Sequence, residues 1–433
     1  MRLFGSSGIR ALFNKELLTT AFRVGLAVGR IYPDIVIGRD TRTSGDAMKH
    51  ALISGLFSAG AKYKDAGIAP TPTLAYITRE FAAGVMITAS HNPPEYNGIK
   101  LFNPDGSSFD SSLQEQIEEM VLAESYDIKD QERTEQSDNY HGAIEKHIDA
   151  ISSRFPPGLN IRVVVDAGGG AASEVTPRLL EKLGCEVITL NCIPGGIFPR
   201  GSEPVASNLN DLCNSVKESG AAVGIAHDGD ADRMMAVDEK GRFISGDVML
   251  AILVRAVNAR DIVTTLDASM AIDEMGLKIR RTKIGDTWVS EELRRGGDFG
   301  GETSGAWIFP SISLCPDGIY AAAQIAALAT KQNLSSLVDA VPVYPLFRGS
   351  INSKGIEMPR LQDKFMALKP LSISNIDGIK LNFNNGWLLV RPSGTEPRIR
   401  ITAEARTQTQ ARQLYENCLN IIKESVDIGV EVN

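Results

Sequence analysis

The chain has few of the residues that build disulfide scaffolds, thiolate metal sites or histidine-rich centres: 5 cysteines and 5 histidines in 433 residues. The cysteines, Cys185, Cys192, Cys213, Cys315 and Cys418, are odd in number, scattered and never spaced C-x-x-C. That excludes a disulfide framework and a thiolate zinc site, and they read as reduced core residues. A Lys/Arg-rich run is missing and the net charge is −8, so the footprint of a nucleic-acid binder is absent. No signal-peptide apolar core opens the sequence, and no apolar run approaches the ~18 residues of a membrane helix. These absences leave a cytoplasmic protein with neither nucleic acid nor membrane as partner. What is present, 43% hydrophobic and 23% charged residues, suits an ordinary globular protein with several cores. The length exceeds the ~250 to 300 residues of a single core, so two to four domains are expected.

One pattern of strands and helices occurs three times, each copy ending in a polar loop. The first copy runs from "DIVIGRD" through helices near Ser44–Ala59 and Thr73–Glu80 to "AGVMI" and "TASHNPP". The second runs from "IRVVVDAGGG" through "CEVITLN" and a helix near Leu209–Ser219 to "AAVGIA" and "HDGDADR". The third runs from "DIVTTLD" through a helix at "SMAIDEMG", "LKIRRTK" and a helix near Asp286–Arg295 to "GDFG" and "GETSG". Alternation of this kind predicts α/β sheets, whose ligands bind at the carboxyl ends of the strands. A charged connection, "ESYDIKDQERTEQSDNYHG", leads toward the second copy. The last segment differs: a hairpin around Asn384-Asn385-Gly386, then "RPSGTEPRIRITAEA", then a helix over Gln408–Lys423, which together make a small α+β domain.

Four loops carry chemistry. In "HDGDADR", Asp228, Asp230 and Asp232 alternate so that three carboxylates converge, and such hard oxygen ligands suit Mg²⁺ or Ca²⁺. An EF-hand is excluded because Arg233 stands where its glycine is required and "RMMAVD" continues as a strand. The plain alternative is a solvated acidic turn. Three carboxylates do not complete a magnesium shell, which usually takes phosphate or water as well, and Ser90 in "TASHNPP" could supply a phosphoryl oxygen. Read alone, Ser90-His91 is equally a polar turn before two prolines. "RPSGTEPRIR" sets Arg391, Ser393, Gly394 and Thr395 in a tight loop suited to a phosphate dianion, or is an ordinary hairpin loop. "GGETSG" offers Glu302 and Ser304 to vicinal sugar hydroxyls. Lys100 could be an acid/base group if its pKa is depressed. "AGGGA" lacks the residues of a nucleotide loop and reads as a tight strand-to-helix turn.

With these loops in hand, the chain resembles the α-D-phosphohexomutase family, which covers phosphoglucomutase, phosphomannomutase and phosphoglucosamine mutase. Its motifs stand in the family's order over essentially the whole chain: "FGSSGIR", "TASHNPPEYNGIK", "DGDADR", "TKIGD", "GETSG" and "RPSGTEPRIRI". The resemblance implies four domains around a central cleft. Three are similar α/β domains with mixed, mostly parallel sheets, 1–154, 155–256 and 257–341, and 342–433 is a C-terminal α+β phosphate-binding domain. It implies an intramolecular phosphotransferase that interconverts sugar 1- and 6-phosphates through a phosphoserine enzyme and a 1,6-bisphosphate. Ser90 would be the phosphoserine, with its phosphate oxygen and Asp228, Asp230 and Asp232 on one Mg²⁺. Arg233 would steady the phosphoryl group, Lys100 would be the general acid/base, and His91 and Arg10 would line the site. Lys283, Gly285 and Asp286 would bind substrate, Glu302 and Ser304 would read the sugar hydroxyls, and Arg391, Ser393, Gly394 and Thr395 would hold the phosphate not being transferred. Many relatives continue G-E-x-S-G with histidine, whereas Ala306 and Trp307 follow Gly305 here. The expected substrate is glucosamine phosphate, with mannose or glucose phosphate as the alternative, handled by a monomer or homodimer. A Mg²⁺-dependent sugar phosphatase is the alternative from another reaction class.

Overall fold

The computed structural model describes residues 3–5, 7–123, 138–352, 358–393 and 398–425. The charged connection therefore lies mostly outside the described residues, as do Gly394 and Thr395 of the expected phosphate loop. The chain forms two compact units, Met1–Val263 with Gly285–Ala340, and Thr264–Ile284 with Val341–Asn433.

In the first unit, β1 (Ile9–Leu12), α1 (Lys15–Ile31), β2 (Asp34–Arg39), α2 (Gly45–Ala59), β3 (Lys62–Ile68), α3 (Thr71–Ile77), β4 (Ala83–Ile87), β5 (Tyr96–Phe102), α4 (Ser111–Leu122) and β6 (Asp138–Asn139) follow one another. Their sheet has the order β1-β5-β4-β2-β3-β6. Strand β5 is antiparallel to both its neighbours and the other pairings are parallel. Ile35, Val36 and Ile37 of β2 are all fully buried because helices cover both faces of the sheet. Ile35 and Ile37 pack with Val24 and Val28 of α1 and Leu52 and Leu56 of α2, while Val36 packs with Leu74 and Ile77 of α3.

Next come α5 (Ala143–Ser152), β7 (Arg162–Asp166), α6 (Ala172–Lys182), β8 (Glu186–Leu190), α7 (Asn210–Ser219), β9 (Val223–His227) and β10 (Met234–Asp238). Their sheet order is β10-β9-β7-β8, with β10 antiparallel to β9. Then follow α8 (Gly246–Ala256), β11 (Asp261–Thr265), β12 (Lys278–Thr282), α9 (Asp286–Leu293), β13 (Phe299–Gly301), β14 (Trp307–Ile308), α10 (Gly318–Ala329) and α11 (Leu334–Asp339). Strands β14, β13 and β11 are neighbours in that order, with β14 antiparallel to β13. This repeats β10-β9-β7 and β5-β4-β2, so the threefold pattern read from the sequence is present. The helix expected at "SMAIDEMG" is instead a 3₁₀ turn, Met270–Met275. It is bounded by Ser269, whose hydroxyl accepts from Ala271 N, and by the left-handed Gly276. Helix α3 starts at Thr71, earlier than expected, because Pro72 suits a first turn.

In the second unit, β15 (Leu346–Asn352), α12 (Met358–Phe365), β16 (Ser372–Ser374), β17 (Ile379–Phe383), β18 (Gly386–Pro392), β19 (Arg398–Ala405) and α13 (Gln408–Lys423) build an antiparallel sheet of order β15-β19-β18-β17-β16. The expected hairpin joins β17 to β18. Leu266, Met270 and Ile284 pack on Trp387 and Leu389. Glu404 accepts from Trp387 Nε1 and from Met270 N, each at 2.7 Å. The stretch 264–284 is thereby tied to the C-terminal sheet. The five cysteines are free, but only Cys185, Cys315 and Cys418 are core residues; Cys192 and Cys213 are partly exposed. Among the described residues no helix is long and apolar enough to cross a membrane.

Lys380 sits inside this packing. Its Nζ donates to Leu266 O at 2.6 Å and lies 4.4 Å from the centre of the Trp387 ring. Burial first, and Arg281 next, push its pKa down to about 7 against the pull of Asp273, Asp267 and Glu404. An unfolded chain keeps that proton up to about pH 10. Over the interval between, the unfolded state binds one more proton than the folded state, so stability rises with pH. Denaturant titrations followed by circular dichroism should show this gain, on the order of 1 kcal/mol per pH unit above pH 7, and Lys380→Met should flatten it.

Candidate active site

Three loops occupy equivalent places in three sheets. Residues 88–95 join β4 to β5, 228–233 join β9 to β10, and 302–306 join β13 to β14. Each preceding strand is fully buried, so the first polar side chains emerge at its carboxyl end, where the chain turns back into an antiparallel neighbouring strand.

In the first loop, Ser90 is fully buried and has φ 50°, in the left-handed region. Its Oγ donates to Asp228 Oδ2 at 2.7 Å and lies 3.2 Å from His91 Nδ1, while its N–H donates to Thr88 Oγ1 at 2.8 Å. Arg42, fully buried, holds this conformation. Its Nη1 donates to Pro93 O and Tyr96 O, its Nη2 to Ser90 O and Asn92 O, and its Nε to Asp40 Oδ2. All five guanidinium N–H groups are thus used. Asp40 also accepts from Thr88 Oγ1 at 2.7 Å. Sequence reasoning gave no role to Arg42, Asp40 and Thr88; for Asp40 and Arg42 the available signal was the polar run "RDTR" at the end of β2, and Thr88 opens "TASHNPP" itself. Burial chiefly, then the cations of Arg233, Arg10 and Lys100, hold His91 down to about 2, so its ring is neutral. Arg10 Nη1 reaches Asn92 Oδ1 at 3.4 Å, and its buried Nε has no partner among the described residues.

In the second loop, ligand oxygens of Asp228, Asp230 and Asp232 lie within 4.8 Å of one another, and all three residues are buried. Asp228 accepts from Ser90 at one oxygen and from Arg233 N, at 3.1 Å, at the other. Asp230 Oδ2 accepts from Thr71 Oγ1 at 2.5 Å and from Lys100 Nζ at 2.7 Å; Asp232 Oδ2 accepts from Lys100 Nζ at 2.5 Å. The Oδ1 atoms of Asp230 and Asp232 are buried and have no partner among the described residues. Two orphaned carboxylate oxygens beside a third carboxylate fit a hard divalent cation, which would satisfy both. Burial first and neighbouring carboxylates second raise the pKa of Asp228 and Asp232. For Asp230, Lys100 and Thr71 outweigh burial and its pKa falls. Lys100 differs from the depressed acid/base expected. Burial alone would lower its pKa, but Asp230 and Asp232 outweigh burial and raise it, leaving an ammonium clasped by two carboxylates. Gly229 is required where the loops touch, since a Cβ there would stand 2.7 Å from Ser90 O.

In the third loop, Glu302 is buried; its Oε1 accepts from Gly285 N at 2.7 Å and its Oε2 lies 3.4 Å from Ser304 Oγ. Asp286 accepts a short hydrogen bond from Ser7 Oγ. Met234 N donates to Gly305 O at 3.0 Å and Trp307 Nε1 to Met234 O at 2.7 Å, which wires this loop to the acidic one. Ala306 is buried in a bridge with Arg233, and Trp307 is a core residue. Arg233 also pairs with Glu203 at 3.5 Å. The first unit therefore brings together Arg10, Ser90, His91, Lys100, the three aspartates, Arg233, Gly285, Asp286, Glu302 and Ser304. Lys283, Arg391 and Ser393 belong to the second unit. There Asp377 Oδ2 accepts from Arg391 Nη1 at 3.0 Å and from Ile284 N at 3.2 Å, and Ser393 N donates to Arg398 O at 2.7 Å.

The chain matches the phosphoglucomutase/phosphomannomutase family in four successive parts. These are alpha/beta/alpha domain I over residues 1–127, domain II over 138–241, domain III over 245–344 and the C-terminal domain over 352–420. A protein of Methanococcoides burtonii named probable phosphoglucosamine mutase is 49% identical over 99% of this chain and 100% of its own length. The solved structure of a phosphoglucomutase/phosphomannomutase family protein from Burkholderia thailandensis has a TM-score of 0.86 at 25% identity, covering 100% of this chain and 99% of that one. N-acetylphosphoglucosamine mutase of Aspergillus fumigatus, solved in complex with GlcNAc-6P and magnesium, shares the fold at TM-score 0.63 and 16% identity, covering 98% and 96% of the two chains.

The anchoring of the serine loop can be tested by stability. Arg42→Met takes the guanidinium away from the buried Asp40 carboxyl and from four carbonyls, and thermal or urea unfolding should show a loss of about 3–5 kcal/mol. A loss below about 1 kcal/mol would mean that the loop holds its shape without the guanidinium.

Proposed function

The chain belongs to the phosphoglucomutase/phosphomannomutase family and is a phosphohexomutase, and we propose that it interconverts glucosamine 1-phosphate and glucosamine 6-phosphate through phosphorylated Ser90. The observation that carries this reading is the 2.7 Å hydrogen bond from Ser90 Oγ to Asp228 Oδ2, which joins a serine in a strained conformation to three buried carboxylates with two unpartnered oxygens. The name of the M. burtonii relative, 49% identical along nearly the whole chain, supports glucosamine phosphate as substrate.

Asp228, Asp230 and Asp232 would hold Mg²⁺ together with an oxygen of phosphorylated Ser90, and the bound ion supplies positive charge to the phosphoryl oxygens in transfer. A sugar hydroxyl attacks phosphorus; its new P–O bond forms as the P–O bond to Ser90 breaks, giving the 1,6-bisphosphate and a free serine. Lys100, an ammonium while Asp230 and Asp232 clasp it, would carry the proton between the sugar hydroxyl and Ser90 Oγ once those carboxylates turn to a bound cation and release it, which lowers its pKa. His91, neutral, shares a hydrogen bond with Ser90 Oγ without adding charge. Arg233 and Arg10 hold the equatorial phosphoryl oxygens. Glu302 and Ser304, with Gly285 and Asp286, bind the sugar hydroxyls. Lys283, Arg391, Ser393, Gly394 and Thr395 take the phosphate not in transfer. The bisphosphate then turns over and returns its other phosphoryl group to Ser90, so the enzyme is regenerated and the phosphate has changed carbon.

An isomerisation assay in Mg²⁺, primed with the matching 1,6-bisphosphate and monitored for free phosphate, tests this. We expect the highest kcat/KM for glucosamine phosphate, little phosphate release, loss of turnover on chelation, and a fall of on the order of 10³-fold or more in Ser90→Ala. A preference for mannose or glucose phosphate would move the substrate assignment, and phosphate release without isomerisation would replace the mutase by a phosphatase.

A further inference from the structure

The acidic loop is gripped from behind by the first turns of two helices. From α3, Thr71 donates twice to Asp230, its N–H to the backbone oxygen at 2.8 Å and its hydroxyl to Oδ2 at 2.5 Å. From α10, Gly318 N donates to Ala231 O at 3.2 Å. The approach there is so close that a Cβ on Gly318 would stand 2.7 Å from Ala231 O and 2.8 Å from Arg233 O. One helix thus seats Asp230 and the other seats the next residue.

The two turns are joined by a single imidazole from a third helix. His147 of α5 is fully buried. Its Nδ1 lies 2.9 Å from Thr73 Oγ1 on α3, and its Nε2 lies 3.1 Å from Asp317 Oδ2 at the start of α10. Asp317 is an acceptor and takes the Nε2–H, while its other oxygen caps α10 by accepting from Tyr320 N at 2.8 Å. The Tyr76 ring stacks on the imidazole at 5.2 Å and fixes its plane. Thr73, His147 and Asp317 are each at most 1% exposed. None of them touches the carboxylate oxygens of the acidic loop. On each helix, however, the residue that meets His147 is within two positions of the residue that grips the loop: Thr73 with Thr71, and Asp317 with Gly318.

A buried polar trio with every member satisfied has one hydrogen-bonding geometry, whereas apolar packing of equal volume tolerates sliding. We propose that Thr73, His147 and Asp317 form a bolt that fixes the spacing of the α3 and α10 first turns, making His147 a positioning residue for the divalent-cation loop. Groups behind metal ligands of this kind are worth 10- to 100-fold in affinity when they orient the ligand. The inference rests on the reading of Asp228, Asp230 and Asp232 as the cation site.

The test is isothermal titration of Mg²⁺ into the full-length wild type, Thr73→Val, Thr73→Ser and His147→Leu, with thermal unfolding of each protein in the absence of added metal. Thr73→Val is nearly isosteric and removes only the hydroxyl; Thr73→Ser restores it. The bolt predicts Mg²⁺ affinity about 10-fold weaker in Thr73→Val and His147→Leu and near wild type in Thr73→Ser. Variants that melt earlier yet bind Mg²⁺ within twofold of wild type would show that the trio serves the fold alone and overturn the proposal. Should His147→Leu fail to fold, Thr73→Val against Thr73→Ser decides. A wild type that takes up no Mg²⁺ would instead remove the cation site itself, and the bolt with it.

Discussion

Three carboxylates on alternate residues of one short return, all buried, set the terms for the rest of the first unit. Two unit charges 4 Å apart repel by roughly 4 kcal/mol at the effective dielectric of a protein site, and ligand oxygens of Asp228, Asp230 and Asp232 lie within 4.8 Å of one another. The surroundings answer with one compensating group from each of several elements: Lys100 from β5, Thr71 from α3, Ser90 from the loop after β4, and Arg233 N from the loop's own exit. Relieving the repulsion therefore fixes where those elements stand. Among the described residues two oxygens are left over, and a divalent cation is a group that would satisfy both.

Nearby stands the opposite case. Arg42 is as deeply buried as the aspartates, yet all five of its N–H groups are satisfied by the protein. Its charge is spent on shape: it holds Ser90 in a left-handed conformation against Asp228, and Asp40 and Thr88 complete the clamp. The contrast between a completed buried charge and an incomplete one separates scaffold from site without reference to any relative. It also explains why the loops are reliable platforms. Each is a return from a buried strand into the antiparallel strand beside it, so its two ends are pinned by the ladder that joins those strands.

What the sequence made legible was local. Buried strands followed by polar clusters locate the three loops, and the chemistry of an unfinished magnesium shell was enough to join Ser90 to Asp228, 138 positions away. Arg42, Thr71 and His147 were not legible, since an arginine, a threonine or a histidine acquires its role only from partners that the fold brings near. The stretch 264–284 reads as a continuation of the third α/β pattern, and its attachment to the C-terminal sheet depends on contacts such as Met270 to Glu404, 134 positions apart. Lys100 was placed at the site by its motif, with an acid/base role conditional on a depressed pKa. The two carboxylates in hydrogen-bond contact with it raise that pKa instead, and no spacing rule reports them.

The most direct measurement of the central claim is the covalent state of Ser90. The protein would be incubated with glucosamine 1,6-bisphosphate and Mg²⁺, freed of sugar, digested and mapped by mass spectrometry. The account predicts one phosphoryl group, located on Ser90, that is discharged when glucosamine 1-phosphate or 6-phosphate is added. A protein that stays unmodified while isomerising the sugar, or that carries the phosphoryl group on another side chain, would contradict it.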